Sequence, residues 1–258
     1  MTSQTDKAKQ FAERHKRGEP IVLLNIWDAG SARAVEAGGA EALATGSHSV
    51  AGALGYEDGE AAPLEDVVWM LARICAATEL PVSHDTERGY GETPDQVGES
   101  CARVIGAGAV GVNIEDSLAD ASLRDVQAQS ERLSAAKQSM EAVCAGAWLN
   151  ARCDVFRAMA DAPWDAKMEE LERRASAYAA AGADSLFVPF VRDLDEITKI
   201  CAVSPLPVNV MRTLQGPPLP DYAAAGVARI SHGPFPWAES MKNLTETATD
   251  IHGGARSS

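Results

Sequence analysis

The chain has 258 residues, 46% of them apolar and 5% aromatic, which is enough to bury one large core and too apolar for a disordered tail. Its 23 Lys and Arg against 37 Asp and Glu leave a net charge of −14, which repels phosphate backbones and anionic lipid and argues against nucleic acid or a membrane as partner. The polar N-terminus has no apolar signal core, and no run of about eighteen apolar residues occurs anywhere, so the sequence reads as soluble and cytoplasmic. Short apolar runs rich in Val, Ile, Leu and Ala recur at 21–27, 42–46, 81–85, 109–115, 147–152, 184–189, 206–211 and 227–231. With little polar alternation, they predict strands covered on both faces. Helical spacing follows at 31–37, 63–78, 94–105, 123–145, 164–180, 194–202, 220–224 and 236–251. Four of these helices run into Ala37-Gly38-Gly39, Gly106-Ala107-Gly108, Ala181-Gly182-Ala183 and Ala225-Gly226-Val227, the left-handed glycine stop before an entering strand. Eight such units in this length predict an α/β fold, a single (β/α)₈ barrel domain over 1–258, with its chemistry at the carboxyl ends of the strands.

Seven of the eight strand ends are polar; only the sixth, Phe187-Val188-Pro189-Phe190, is apolar. Asp85, Glu87 and Glu115 fall at two consecutive ends. Crowded carboxylates repel one another, and a hard divalent cation relieves them; an all-oxygen set favours Mg²⁺ or Mn²⁺ over zinc. The competing reading is that they are solvated loop acids. Arg152 ends an apolar strand and needs an anionic partner there, either a substrate carboxylate or a structural one such as Asp154 or Glu115. Thr45, Gly46 and Ser47 form a small-residue turn whose backbone N–H groups could face a developing enolate or oxyanion, or simply close a loop. Asp58, in the long connection after the second strand, reads by itself as a turn aspartate.

Other chemistries are set aside by what the chain lacks. Its five cysteines are an odd number with no C-x-x-C pair, which fits reduced thiols and neither a disulfide framework nor a structural zinc site. No lysine lies at a predicted strand end, which argues against a Schiff-base aldolase. No Gly-x-Gly-x-x-Gly follows a strand and no P-loop occurs, so nucleotide binding by those loops is unsupported. His48, His84 and His232 read as satisfied polar residues at the barrel rim.

Taken together, several segments resemble the isocitrate lyase and phosphoenolpyruvate mutase superfamily. They include Asn25-Ile26-Trp27-Asp28, Ala44-Thr45-Gly46-Ser47, Gly55-Tyr56-Glu57-Asp58-Gly59, Asp85-Thr86-Glu87-Arg88-Gly89-Tyr90-Gly91, Asn113-Ile114-Glu115-Asp116, Asn150-Ala151-Arg152-Cys153-Asp154, Asn209-Val210-Met211 and Arg229-Ile230-Ser231. They stand in the family's order and cover most of the chain from about residue 20 to 235. The resemblance implies a (β/α)₈ barrel, usually a homotetramer that exchanges a C-terminal helix between subunits. It implies Mg²⁺-dependent chemistry on small 2-oxo or 2-hydroxy di-acids through an enolate. Carried onto this sequence, Asp85 would be the closest metal ligand, with Glu87 and Glu115 holding metal waters. Thr45, Gly46 and Ser47 would cradle the oxyanion end of the substrate, Arg152 and Asn209 its other anionic group, and Asp58 would stand beside the reacting carbon.

The departures narrow the expected reaction. The lyases of this superfamily carry a cysteine loop after the fourth strand, where residues 117–124 here contain no cysteine, which argues against isocitrate cleavage by that route. The mutase's tryptophan after the second strand is Ala44 and its gating loop is absent, which argues against phosphonate formation. Val188 and Pro189 stand where relatives place glutamate or histidine, and Cys153 replaces a more usual threonine. The expected function is a Mg²⁺-dependent lyase that breaks a C–C bond in an oxaloacetate-like or substituted-malate substrate. A P–C bond enzyme acting on phosphonopyruvate and a non-catalytic barrel that binds a 2-oxo acid are the alternatives.

Overall fold

The computed structural model describes residues 2–254. Nine strand segments, β1 (Ile21–Leu23), β2 (Asn25–Ile26), β3 (Leu43–Thr45), β4 (Val82–Asp85), β5 (Gly111–Glu115), β6 (Trp148–Arg152), β7 (Ser185–Val188), β8 (Val208–Met211) and β9 (Arg229–Ser231), form one sheet in the order β1-β9-β8-β7-β6-β5-β4-β3-β2. Every pairing is parallel. The first predicted strand breaks at Leu24, so that β1 pairs with β9 while β2 pairs with β3. One interrupted strand thus brings the two edges of the sheet together, and the nine segments occupy the positions of an eight-stranded (β/α)₈ barrel.

The helices are α1 (Gln4–Glu13), α2 (Ala29–Ala37), α3 (Ser47–Leu54), α4 (Leu64–Ala76), α5 (Pro94–Gly106), α6 (Val126–Val143), α7 (Val155–Ala158), α8 (Trp164–Ala180), α9 (Leu194–Val203), α10 (Leu219–Ala224) and α11 (Phe235–Gly254). Their starts carry local chemistry: Asp28 caps α2, and Thr93 with Gln96 forms a capping box on α5 behind Pro94. All four predicted glycine stops contain a residue in the left-handed region, Gly39, Gly108, Gly182 and Gly226. Gly108 shows why nothing larger fits, since a Cβ there would lie 2.9 Å from the Cys75 Cβ. Three helices lie outside the predicted set. In α1, whose capping box joins Ser3 and Asp6, Ala8 and Phe11 are fully buried, while the short α3 and α7 sit directly after β3 and β6. Among the described residues, no helix is long and apolar enough to cross a membrane.

Behind the strand ends lies a buried ionic cluster. Asp116 accepts hydrogen bonds from Arg174 Nη1 at 3.1 Å, Tyr178 Oη at 2.7 Å and the Asp154 N–H at 2.8 Å. Arg174 is 3% exposed and Asp116 fully buried, so each compensates the other's desolvation. Replacing Arg174 by Met strands the Asp116 carboxylate, and a loss of about 3–5 kcal/mol in unfolding free energy is expected from urea titration.

Candidate active site

Two depressions of similar size open at opposite ends of the barrel. One of about 430 Å³ lies at the N-terminal rim, between the start of β1 and α10, and is lined by residues such as Arg14, Lys16 and Leu219. The other, of about 440 Å³, lies at the carboxyl ends of the strands and is lined by Gly46, Ser47, Asp58, Asp85, Arg152 and their neighbours. Size does not choose between them. Titratable groups from separate strand ends converge only on the second, which is also where this fold places its chemistry.

Asp85 ends β4 at the floor of that cavity. Its Oδ2 accepts from the Ser47 N–H at the first turn of α3 and its Oδ1 from the Glu87 N–H, both at 3.3 Å. The helix terminus favours a negative charge there. Burial nevertheless pushes the Asp85 carboxyl up, with Arg152 and the Ser47 N–H opposing and Asp58 adding to the rise. Thr45 works from beneath: its hydroxyl accepts from the Asp85 N–H at 3.0 Å and meets His84 Nδ1 at 2.9 Å. Burial lowers His84 to about 4, so it is a neutral imidazole supporting the floor. The 45–47 turn therefore differs from the expected open cradle. Gly46 and Ser47 line the cavity, but the Gly46 N–H donates to the Ile26 carbonyl at 3.3 Å and the Ser47 N–H to Asp85.

Glu87 faces a loop. Its Oε2 accepts from the N–H groups of Gly59 and Glu60 at 2.8 and 2.6 Å, and its Oε1 from Tyr90 Oη at 2.8 Å. Glu60 answers by accepting from the Tyr90 N–H at 2.8 Å and pairing with Arg88 at 3.2 Å. This latch holds the connection that carries Asp58 over the cavity. Glu60, Glu87 and Tyr90 all have positive φ, 63°, 50° and 51°, so the latch is made at the expense of local backbone strain, a pattern common at functional sites. Burial, reinforced by Asp85 and Asp58, raises Glu87 to about 7 against the pull of Tyr90.

Glu115 and Arg152 stand side by side in register at the ends of β5 and β6. Arg152 Nη1 pairs with Glu115 Oε2 at 2.6 Å, while its Nε and Nη2 grip both oxygens of Asp154 at 2.7 and 2.8 Å. The two structural partners weighed from sequence are thus both engaged, although Arg152 still lines the cavity. Asn209 lies below it, fully buried, with its amide donating to Ser231 Oγ and the Val210 carbonyl at 3.1 Å. The apolar sixth strand end read from the sequence becomes one wall of the cavity, through Phe187, Pro189 and Phe190. One further feature was not singled out from the sequence: Arg157 on α7 reaches the same cavity. Arg157 has a weak signal in hindsight, a cation five residues beyond Arg152.

Asp58, Asp85, Glu87, Glu115 and Asp154 outnumber the guanidiniums of Arg152 and Arg157, so the strand ends carry an anionic excess. Among the described residues, no three His, Cys, Asp or Glu side chains converge tightly enough to hold a bare metal ion. The expected trio therefore separates. Asp85 alone offers an oxygen on the cavity floor bonded only at 3.3 Å, whereas Glu87 and Glu115 are turned to the loop and to Arg152. That donor chemistry fits a hard cation bound through one carboxylate and several waters, the mode Mg²⁺ prefers.

The parallel barrel and the cavity at its strand ends define the class, a (β/α)₈ protein with charged side chains gathered at its C-terminal face. The chain belongs to the phosphoenolpyruvate phosphomutase family, whose model matches residues 11–252, and through it to the isocitrate lyase and phosphoenolpyruvate mutase superfamily. A crystal structure of a Burkholderia cenocepacia J2315 protein, provisionally named a phosphonomutase, is 47% identical with a TM-score of 0.91, covering 95% of this chain and 99% of that one. An uncharacterized protein of Mycobacterium tuberculosis H37Rv is 33% identical over 95% of this chain and 89% of its own length. The oxaloacetate decarboxylase of Bradyrhizobium diazoefficiens is 28% identical over 81% of this chain and 72% of that protein.

The state of Glu87 has a measurable consequence. Its folded pKa of about 7 lies above the ordinary 4.5, so between those values the folded protein binds more protons than the unfolded chain and stability falls as pH rises. In metal-free protein, the midpoint of thermal unfolding should decline from pH 5 to 8, and Glu87→Gln should flatten that decline. An unchanged slope in the variant would show that Glu87 titrates normally.

Proposed function

We propose that the protein is a Mg²⁺-dependent lyase that cleaves a C–C bond in a small 2-oxo or 2-hydroxy di-acid, with an oxaloacetate-like compound as the first candidate. The observation that carries this reading is Asp85, a half-buried carboxylate at the first turn of a helix on the cavity floor, with Asp58 in the same lining and Glu87 and Glu115 beside it. A Mg²⁺ ion, bound by Asp85 and through water by Glu87 and Glu115, would supply the positive charge that an anionic substrate needs beside these carboxylates and stabilise charge growing on its C2 oxygen. Mn²⁺ would suit the same oxygens. The similarity to an oxaloacetate decarboxylase supports the C–C assignment.

For oxaloacetate, the C3–C4 bond breaks, its electron pair forms the enolate of pyruvate, C4 leaves as CO₂, and C3 is then protonated. Ser47 at the start of α3 orients the Asp85 side of the site, and the Glu87 latch holds Asp58 beside the reacting carbon. Arg152 fixes the rim against which the substrate's second anionic end is placed. The apolar wall of Phe187, Pro189 and Phe190 excludes water from one side of the developing enolate. A second subunit is expected against α11, where Leu244 and Ile251 are 62% and 66% exposed.

Cleavage of a P–C bond is the second reading, supported by the 47% identity to the protein provisionally named a phosphonomutase. Oxaloacetate and phosphonopyruvate assayed side by side with Mg²⁺ separate the two, because only the second releases inorganic phosphate. We expect pyruvate and CO₂ from oxaloacetate, abolished by a chelator and reduced at least about 100-fold in kcat/KM by Asp85→Ala. Stabilisation by Mg²⁺ with oxalate, but no product from any substrate, would instead identify a binding barrel.

A further inference from the structure

Arg152 is poorly placed to attract a substrate anion by charge, because Glu115 and Asp154 already bind all three of its guanidinium nitrogens at 2.6 to 2.8 Å. Among the described residues, Arg157 is the other guanidinium lining the cavity. Its nearest carboxylate oxygen is that of Asp154, 3.9 Å away, and Asp154 already spends both oxygens on Arg152. The Arg157 side chain is 47% exposed and packs on the Phe190 ring at 5.7 Å, the same ring that Arg152 approaches at 5.7 Å. Phe190 thus separates a neutralised guanidinium from one whose charge is still available, and it gives the available one a flat surface to rest on.

We infer that Arg157, seated on Phe190, is the subsite for the second carboxylate of the substrate and selects di-acids over mono-acids. The inference rests on the proposed 2-oxo acid site and deepens it. Arg157 lies on the helix that follows β6, two strands along the sheet from Asp85 on β4. A small di-acid held by its 2-oxo end near Asp85 therefore extends its other carboxylate along the Phe187–Phe190 wall toward Arg157. The planar fork of Arg157 can donate two charge-assisted hydrogen bonds to that carboxylate. A mono-acid, or a compound as short as oxalate, leaves Arg157 in solvent.

Dissociation constants measured by calorimetry in Mg²⁺ test this without requiring turnover. Oxalate probes the 2-oxo acid end and malate probes both ends, each against wild type, Arg157→Leu and Arg157→Lys. Arg157→Leu should weaken malate at least about 10-fold and leave oxalate within about twofold, and Arg157→Lys should recover part of the loss. If oxaloacetate is turned over, its KM should rise in Arg157→Leu more than kcat falls. Malate binding that is undetectable in wild type, unaffected by Arg157→Leu, or lost in equal measure with oxalate would overturn the subsite. Failure of wild type to bind oxalate at all would instead overturn the underlying 2-oxo acid reading.

Discussion

An ion pair from Arg152 to Glu115 and two charge-assisted hydrogen bonds from Arg152 to Asp154 tie together the carboxyl ends of β5 and β6, and the geometry of the site depends on them. Glu115 holds one edge of the guanidinium from the neighbouring strand, and Asp154 grips the other from the residue that precedes α7. Asp154 is itself fixed, because its N–H donates to Asp116, which sits in the buried cluster with Arg174 and Tyr178. The rim is thus continuous with an ionic core behind it. Such pairs are costly to desolvate and costly to break, which makes them better at specifying one arrangement than at adding net stability. Here the specified arrangement positions α7, and with it Arg157 and the wall that Phe190 completes.

The same economy of charge explains the loop latch. Asp58 has no strand to hold it, and a free loop would not keep a carboxylate over an already anionic floor. Glu87 closes the loop by taking two backbone N–H groups on one oxygen, with Tyr90 on the other. Closing it requires Glu60, Glu87 and Tyr90 in the left-handed region, where side chains are crowded. Strain and like-charge repulsion at one place are tolerable in a fold whose core is otherwise well packed, and a bound cation would relieve the second of them.

The barrel was legible because its signal repeats. Unbroken apolar strands and left-handed glycine stops recur often enough that an error at one boundary leaves the count of units unchanged. The helices α3 and α7 were illegible for the opposite reason: each is short, follows a strand without a loop, and takes its residues from segments that also read as strand-end motifs. That omission mattered, since a turn at 45–47 presents N–H groups to a ligand, whereas a helix start spends the Ser47 N–H on Asp85. Residue types at the strand ends could be read, but their mutual pairing could not, because Glu115, Arg152 and Asp154 meet only once the register of β5 against β6 is known. Asn209 illustrates the same limit: the sequence groups it with the strand-end residues, whereas it is the second residue of β8 and turns inward, toward Ser231 and Asn150 rather than the cavity.

That inward direction shows how interior and rim are coupled. Barrels of this kind usually fill their centre with branched apolar side chains. This one places Ser83, Asn113, Asn150, Ser185, Asn209 and Ser231 there, all buried and joined by contacts such as the 2.7 Å bond from Asn150 to Asn113. Among them lies Arg229, wholly buried above the Phe11 ring of α1, with only 3.4 Å contacts to Ser83 and Asn113. Burial lowers it to about 9, and the charge of Asp85 acts in the opposite sense. A guanidinium with no adjacent carboxylate would be a severe cost in an apolar centre, whereas hydroxyl and amide dipoles reduce that cost and transmit the field of the acids above. Arg229 and Asp85 therefore act as distant counter-charges through a polar core, which links the body of the barrel to the floor of the site.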